Sequence, residues 1–139
     1  MIAETSILLK AADSILGWLG LLRKEQLGRG ERERRAIKAL YIALNETNLY
    51  FRRLDRPHLA RSKQERKEFQ RNIRAEEALS RLWIEASVEL RDINPDLADR
   101  CFLKGTFWAD RDQWSDEDVQ RANITLQKVV RDARAFLRN

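Results

Sequence analysis

Apolar residues recur at intervals of three and four along most of the chain, which is the spacing that places them on one face of an α-helix. One such stripe spans 31–56 and stops before Pro57, because a proline disfavours helical geometry in the residue that precedes it. A second stripe spans 63–93. No segment alternates apolar and polar residues in the way that β-strands do. The pattern therefore predicts an all-α fold.

The ends of the later helices carry sequence signals of their own. Ser62 and Glu65 have the spacing of a capping box, in which each side chain accepts a hydrogen bond from the other residue's backbone, so the third helix should begin at about 63. Glu76 is the misfit in the apolar stripe of this helix. Asn94 can cap a new helix that begins with Pro95, because proline suits the first helical turn.

A short helix and a final long helix come next. We predict the short helix over 95–104, ended by Gly105, and then a loop that contains Trp108 and Trp114. Ser115 is the predicted cap of the final helix, and acidic residues fill its first turn, where the helix dipole favours negative charge. The predicted core stripe of this helix consists of Val119, Ala122, Leu126, Val129, Ala133 and Phe136.

The first predicted helix, 2–27, is apolar on nearly every side. Its polar and glycine positions form one narrow stripe, whereas an ordinary surface helix has the reverse balance. Gly28 should end it. The helix therefore packs centrally, covers an interface with a partner or a second copy, or inserts into a membrane. Its stripe consists of Ser6, Lys10, Asp13, Gly17, Gly20 and Lys24, and its candidate interface residues are Leu8, Ile15, Trp18, Leu19 and Leu22.

The connections between the first three long helices are short, so each helix should run antiparallel to the next. We predict an up-down four-helix bundle with one short additional helix between the third and fourth, in a single domain over 1–139. With 43% hydrophobic and 35% charged residues, the chain is too apolar to be disordered and too charged to be a membrane protein. The single cysteine, Cys101, excludes an intrachain disulfide, which suits a cytoplasmic protein.

Charge is distributed unevenly along the chain. Residues 52–74 hold nine basic and three acidic side chains, a net +6, whereas 94–118 hold seven acidic and three basic ones, a net −4. In the predicted topology the turn between helices two and three shares one end of the bundle with the C-terminus of helix four. That cationic end would attract phosphates, anionic lipid or acidic proteins, and the acidic segment would lie opposite. The candidate anion-binding residues are Arg52, Arg53, Arg56, Arg61, Lys63, Lys67, Arg71, Arg131, Arg134 and Arg138.

The only histidine, His58, follows Arg53 by five positions. This Arg-x4-His spacing resembles the motif of HEPN-type ribonucleases, which are also helical bundles. The resemblance implies that Arg53 holds a phosphate and His58 moves protons, at a dimer interface that acts on RNA. Because arginine is so frequent in this chain, the spacing also arises readily by chance. We therefore interpret His58 as a surface residue of a turn and assign no catalytic residue.

The remaining polar residues indicate no cofactor, metal ion or small-molecule substrate. The acidic residues of 110–118 do not form a calcium loop, because Ser115 and Arg121 occupy the positions that require glycine and glutamate. Glu76 is either a buried functional carboxylate or the partner of a nearby arginine. The candidates for that arginine are Arg52, Arg53 and Arg131.

These features favour a small non-enzymatic interaction or regulatory module. It would bind a protein partner or associate with itself, and its basic end would serve an anionic partner. Three alternatives stay open. The chain could bind the backbone of nucleic acid without sequence specificity, act as a HEPN-like ribonuclease, or act on membranes as a helical effector.

Overall fold

The computed structural model describes residues 30–54 and 72–138, with Arg138 described by its backbone alone. Every regular element in these two stretches is helical. Neither stretch contains a helix long and apolar enough to cross a membrane. The elements are α1 (Glu31–Leu54), α2 (Ile73–Leu90), α3 (Pro95–Ala109), a 3-10 turn (Arg111–Gln113), α4 (Asp116–Arg121) and α5 (Leu126–Arg138).

Helix α1 follows the predicted stripe to the limit of the first described stretch at Leu54. Acidic side chains occupy its first turn and Arg52 and Arg53 its last, as the helix dipole favours. Its buried face is wide and includes polar side chains. Thr47 is one of them, and its Oγ1 accepts a hydrogen bond from Nε1 of Trp83 at 2.9 Å.

Helix α2 begins later than the sequence pattern predicts. Asn72 has an extended backbone, with φ −124° and ψ 110°, and its side chain accepts a hydrogen bond from the backbone of Ala75 at 3.1 Å. A continuous helix over 63–93 is therefore wrong, because Asn72 caps a helix that starts at Ile73. Ile73, which the pattern places in the core, is more than half exposed. The predicted capping box at 62–65 lies outside the described residues.

Helix α3 starts where the sequence predicts and ends five residues later than predicted. The Asn94 side chain accepts a hydrogen bond from the backbone of Leu97, and Pro95 occupies the first turn. The helix continues through Gly105 to Ala109, so Trp108 lies in a helix and not in a loop. Gly105 does not end the helix, because its role is in packing against α2.

The final predicted helix is divided into two. Ser115 caps α4 in a reciprocal capping box with Asp118, as its position predicts, and these hydrogen bonds lower the pKa of the Asp118 carboxyl. The helix then stops at Arg121, and Asn123 adopts a left-handed conformation with φ 57°. Helix α5 begins after the break, at Leu126. All members of the predicted core stripe are buried except Ala122, which is partly buried.

Contacts between neighbouring helices give their directions. The hydroxyl of Tyr50, near the end of α1, donates to Glu76 at the start of α2, whereas Arg35 near the start of α1 lies 4.0 Å from Glu89 near the end of α2. The two helices are therefore antiparallel. We call the end of the body that holds Leu54 the distal end, and the end where α1 begins the proximal end.

Helices α2 and α3 are antiparallel as well. Ser80, in the middle of α2, donates its hydroxyl to the carbonyl of Gly105 late in α3, at 2.7 Å. Arg91, which follows α2, lies 3.6 Å from Asp99 early in α3. Helix α3 thus starts at the proximal end and finishes at the distal end.

Candidate functional site

The direction of α5 decides where its arginines lie. The ammonium of Lys104, late in α3, donates to the carbonyl of Ile124 just before α5, at 2.9 Å. Arg100, earlier in α3, pairs with Asp132 in the middle of α5, at 3.0 Å. Helix α5 is therefore antiparallel to α3, and it runs towards the proximal end.

The structure does not bring together the four predicted basic residues whose side chains it describes, Arg52, Arg53, Arg131 and Arg134. Arg52 and Arg53 lie at the distal end, in the last turn of α1, whereas Arg131 lies at the middle of α5 and Arg134 lies beyond the middle, towards the proximal end. The physical reason is the length of α3. The sequence pattern treats this element as a short helix in a connection, but its 15 residues carry the chain from one end to the other and reverse the direction of α5.

The acidic segment is not collected at one end either. Asp96 and Asp99 lie near the start of α3, at the proximal end, whereas Asp110 and Asp112 follow its distal end. The charge separation that the sequence predicts along the bundle therefore does not hold within the described residues.

Arg131 lines a shallow polar pocket at the junction of α4 and α5, together with Gln120, Asn123 and Lys128. The Lys128 ammonium is already 3.1 Å from the carboxylate of Asp132. One of the two cations of this pocket is therefore engaged by an acidic neighbour, which weakens the attraction of the pocket for an anion.

Many predicted site residues fall outside the described stretches. They include His58 of the ribonuclease-like spacing and all five candidate interface residues of the first predicted helix, namely Leu8, Ile15, Trp18, Leu19 and Leu22. The basic residues Arg56, Arg61, Lys63, Lys67 and Arg71 lie outside as well, and the side chain of Arg138 is not described. These assignments stay predictions.

Glu76 is buried, with 2% of its surface exposed, and it occupies the centre of a polar cluster. Its carboxylate accepts a hydrogen bond from Tyr50 and lies 3.6 Å from the guanidinium of Arg111. Arg111 also lies over the ring of Trp108, 6.0 Å from its centroid. Within the described stretches Glu76 therefore pairs with Arg111, from the 3-10 turn after α3, which is not among the three arginines that the sequence suggests.

Tyr50 links the residues on either side of segment 55–71, which lies outside the described stretches. Its hydroxyl accepts a hydrogen bond from the backbone N–H of Asn72 at 3.0 Å and donates one to Glu76. Burial, followed by the hydrogen bond to Glu76, raises the pKa of Tyr50 to about 12. These two hydrogen bonds hold the end of α1 against the start of α2 at the distal end. Arg52 and Arg53 follow Tyr50 in the last turn of α1 and lie close to them.

The α2–α3 surface exposes large apolar side chains that the sequence pattern did not single out. Val88 on α2 is 65% exposed and Phe102 on α3 is 48% exposed. Ser80 contacts Gly105, and nearer the proximal end Arg91 pairs with Asp99. These two contacts set the register of the helices and bring Val88 level with Phe102. Val88 lies off the apolar stripe of its helix, and that displacement is the only sequence signal of its exposure.

Cys101 is fully buried in α3, and burial raises the pKa of its thiol to about 12. An unionised, inaccessible thiol is a packing group and a poor nucleophile. Within the described stretches, no group of three or more histidine, cysteine, aspartate and glutamate side chains could hold a metal ion.

Comparison of the chain with protein-family models, with curated proteins and with solved structures finds no match.

Proposed function

We propose that this protein is a non-enzymatic helical module that binds a protein partner or a second copy of itself through the surface shared by α2 and α3. The observation that carries the proposal is the exposure of Val88 and Phe102 at the same level of two adjacent helices. Apolar side chains that cluster within a polar rim are typical of contact surfaces between proteins. Ile84, half-buried between them and Gly105, extends the same surface.

The surroundings of this surface favour a protein as its ligand. Arg91 and Asp99 form an exposed ion pair beside it, so charges of both signs border the apolar side chains. A mixed rim of this kind suits the polar edge of a protein interface, whereas a polyanion requires basic residues alone. The apolar area is small, which favours a reversible contact.

A double substitution, Val88→Ser with Phe102→Ser, tests the proposal. Leu49→Ser is the matched control, because Leu49 is 46% exposed on α1 and stands apart from this surface. We expect the double variant to weaken self-association, or capture of a protein from native lysate, by about tenfold, while the control leaves both unchanged. Light scattering and quantitative pull-down measure the two effects. Equal binding by all three proteins would refute the role of this surface.

The up-down bundle of four long helices and a cytoplasmic location form part of the same proposal. The antiparallel contacts of α1 with α2, and of α2 with α3, support the bundle. The buried, unpaired Cys101 thiol suits a reducing compartment.

A second candidate function, binding of a nucleic-acid backbone, is favoured by the hydrogen bond between Tyr50 and Asn72. That bond holds Asn72, which follows segment 55–71, against Tyr50, which precedes it. Both ends of this basic segment therefore lie near Arg52 and Arg53. A dense group of arginines and lysines binds phosphates with strong salt dependence and little sequence specificity.

Charge reversal at the distal end, with a control on α5, tests this second function. We expect Arg52→Glu with Arg53→Glu to weaken binding of a labelled RNA or DNA by about tenfold at about 50 mM salt. The control, Arg131→Glu with Arg134→Glu, alters as many charges at a distance from the distal end and should have a smaller effect. Fluorescence anisotropy measures both. No binding by the unaltered protein at low salt would exclude the function.

A further inference from the structure

A cavity lies beside the exposed ring of Phe102, on the side of α3 that faces α5. It has a volume of about 210 Å³, and its walls come from α3 and from the link between α4 and α5. A cavity of this size is smaller than the sites that hold drug-sized ligands, and it suits a single side chain. Its lining residues are Asp96, Asp99, Arg100, Leu103, Ala122 and Asn123.

The cavity combines apolar walls with carboxylates at its rim. Leu103 and Ala122 are partly buried and supply apolar surface, whereas Asp96 and Asp99 are exposed. The carboxylate of Asp96 has no ion-pair partner within the described stretches. That of Asp99 lies 3.6 Å from Arg91 in an exposed pair, which solvent screens. An aliphatic chain that ends in a positive charge fits this lining, because its stem can contact the apolar walls while its charge meets the carboxylates.

Arg100 also borders the cavity, but its guanidinium is already engaged. Its Nε lies 3.0 Å from the carboxylate of Asp132 on α5, and its Nη1 donates to the backbone carbonyl of Asp96 at 3.4 Å. Arg100 therefore does not occupy the carboxylate of Asp96, which stays available at the rim.

The outer surface around Phe102 carries an excess of negative charge. Residues 85–102 hold five acidic and two basic side chains, a net −3. Two of these acids lie 4.0 Å from arginines of α1. Glu85, three residues before Val88, is exposed and has no ion-pair partner in the part of the chain that the structure describes. A ligand that covers Val88 and Phe102 therefore meets a mixed rim in which acidic groups predominate, and positive charge complements it.

We propose that the partner of the α2–α3 surface is a basic protein segment. Its apolar side chain covers Val88 and Phe102, and a lysine or arginine close to that side chain enters the cavity beside Asp96 and Asp99. This inference rests on the proposed function and adds the chemistry of the partner to it. Asp99 precedes Phe102 by three residues, or about 4.5 Å along the axis of α3, so one short segment can reach both places.

Two labelled synthetic peptides probe the chemistry of the partner. Both are amphipathic helices with the same leucine face, and they differ in carrying either lysines or glutamates beside it. Fluorescence anisotropy with the full chain measures their affinities. We expect the lysine peptide to bind about tenfold more tightly at about 50 mM salt, with a difference that shrinks as added salt screens the charges. Equal affinities, tighter binding of the glutamate peptide, or no binding of either would overturn the proposal.

Asp96→Asn with Asp99→Asn removes both charges at the cavity and keeps the shape of the side chains. We expect this variant to bind the lysine peptide about tenfold more weakly than the unaltered protein does, with no loss for the glutamate peptide. The matched control, Glu46→Gln with Asp110→Asn, neutralises two exposed carboxylates on α1 and after α3, away from the cavity, and should change neither affinity. Equal losses in the two variants would assign the preference to overall charge and overturn the proposal.

Failure of the proposed function and failure of this inference give different results. If Val88→Ser with Phe102→Ser binds the lysine peptide as tightly as the unaltered protein does, the α2–α3 surface is refuted and this inference with it. If that variant loses binding while Asp96→Asn with Asp99→Asn retains it in full, the surface holds and the basic partner is refuted.

Discussion

Helix α2 packs against its two neighbours in opposite ways. Towards α1 it inserts Trp83, whose ring is fully buried and whose Nε1 donates to Thr47. Towards α3 it meets a residue with no side chain, since a Cβ built on Gly105 would lie 2.6 Å from Cδ1 of Ile84 and 3.1 Å from the carbonyl oxygen of Ser80. The contact with α1 depends on a large side chain that fills the space and whose polar atom is hydrogen-bonded. The contact with α3 depends on the absence of a side chain at Gly105, which lets the two backbones approach closely.

The two interfaces should therefore fail in response to opposite changes. Removal of atoms leaves a cavity on the α1 side, where large side chains fill the space. Addition of atoms forces the helices apart on the α3 side, where the backbones are close. Four substitutions, taken in order of decreasing effect, test this contrast.

Trp83→Ala should have the largest effect. We expect a loss of about 4 kcal/mol in the free energy of unfolding, because a buried indole and its hydrogen bond to Thr47 are removed together. Urea unfolding followed by circular dichroism measures it. Trp83→Phe is the control, since it keeps most of the apolar volume and should cost much less. Equal losses in the two variants would assign the stability to the hydrogen bond and not to packing.

Gly105→Val should cost about 3 kcal/mol, because its branched side chain would overlap Ile84 and approach the backbone of α2. Gly30→Ala is the matched control, as a Cβ there meets nothing within 4 Å. Labelling of the buried Cys101 thiol at about pH 8 provides a second readout, since separation of the helices should expose it. A Gly105→Val protein as stable as the control would show that the contact is not close.

Tyr50→Phe should cost about 2 kcal/mol, because it keeps the ring but removes the hydrogen bonds to Glu76 and Asn72. The pKa of Tyr50 is about 12 in the folded protein, against 10 for an ordinary tyrosine. The neutral hydroxyl is therefore the form that the fold stabilises. Its contribution is complete below pH 10 and is lost as the pH rises through 12.

Urea unfolding at several pH values between about 9 and 12 checks this expectation. The unaltered protein should lose stability more steeply than Tyr50→Phe over this range, and the difference between their free energies of unfolding should shrink as pH rises. A difference that stays constant with pH would show that the hydroxyl contributes by shape alone.

Arg32→Ala should have the smallest effect, below about 0.5 kcal/mol. Arg32 lies 4.0 Å from Asp92 at the proximal end of the α1–α2 contact, and both side chains are more than two-thirds exposed. Solvent screens such a pair, so it adds little to what Trp83 already provides. A loss comparable to that of Tyr50→Phe would mean that the exposed charges of this interface matter as much as its buried ones. Urea unfolding at low and high salt measures the effect.

Sequence signals predicted the features of this fold that depend on a few adjacent residues. Asn94 before Pro95, and Ser115 three residues before Asp118, satisfy helix termini through local hydrogen bonds, and both cap as expected. The apolar stripe of the last segment also holds, because its buried positions keep helical spacing on both sides of the break at Asn123.

The sequence failed where the outcome depends on a distant contact. Gly105 has the same local signature whether it ends a helix or fits against one, and only the nearness of Ile84 distinguishes these cases. Because Gly105 was interpreted as a helix end, α3 was predicted too short to connect the proximal and distal ends. The predicted direction of α5 was therefore the reverse of the observed one. The partner of Glu76 was missed for the same reason, because Arg111 reaches it from a turn 35 residues away along the chain.

Helix α5 runs antiparallel to α3 and back towards the end where α1 begins. Gly30 and the backbone of Arg138 therefore both belong to the proximal end, while Arg52 and Arg53 face the other way. A tether attached at the end of α5 would therefore immobilise the molecule with Arg52 and Arg53 turned outwards. A dye at that position would likewise report on events near Gly30 and be a poor sensor of ligands that approach α1 from its far end.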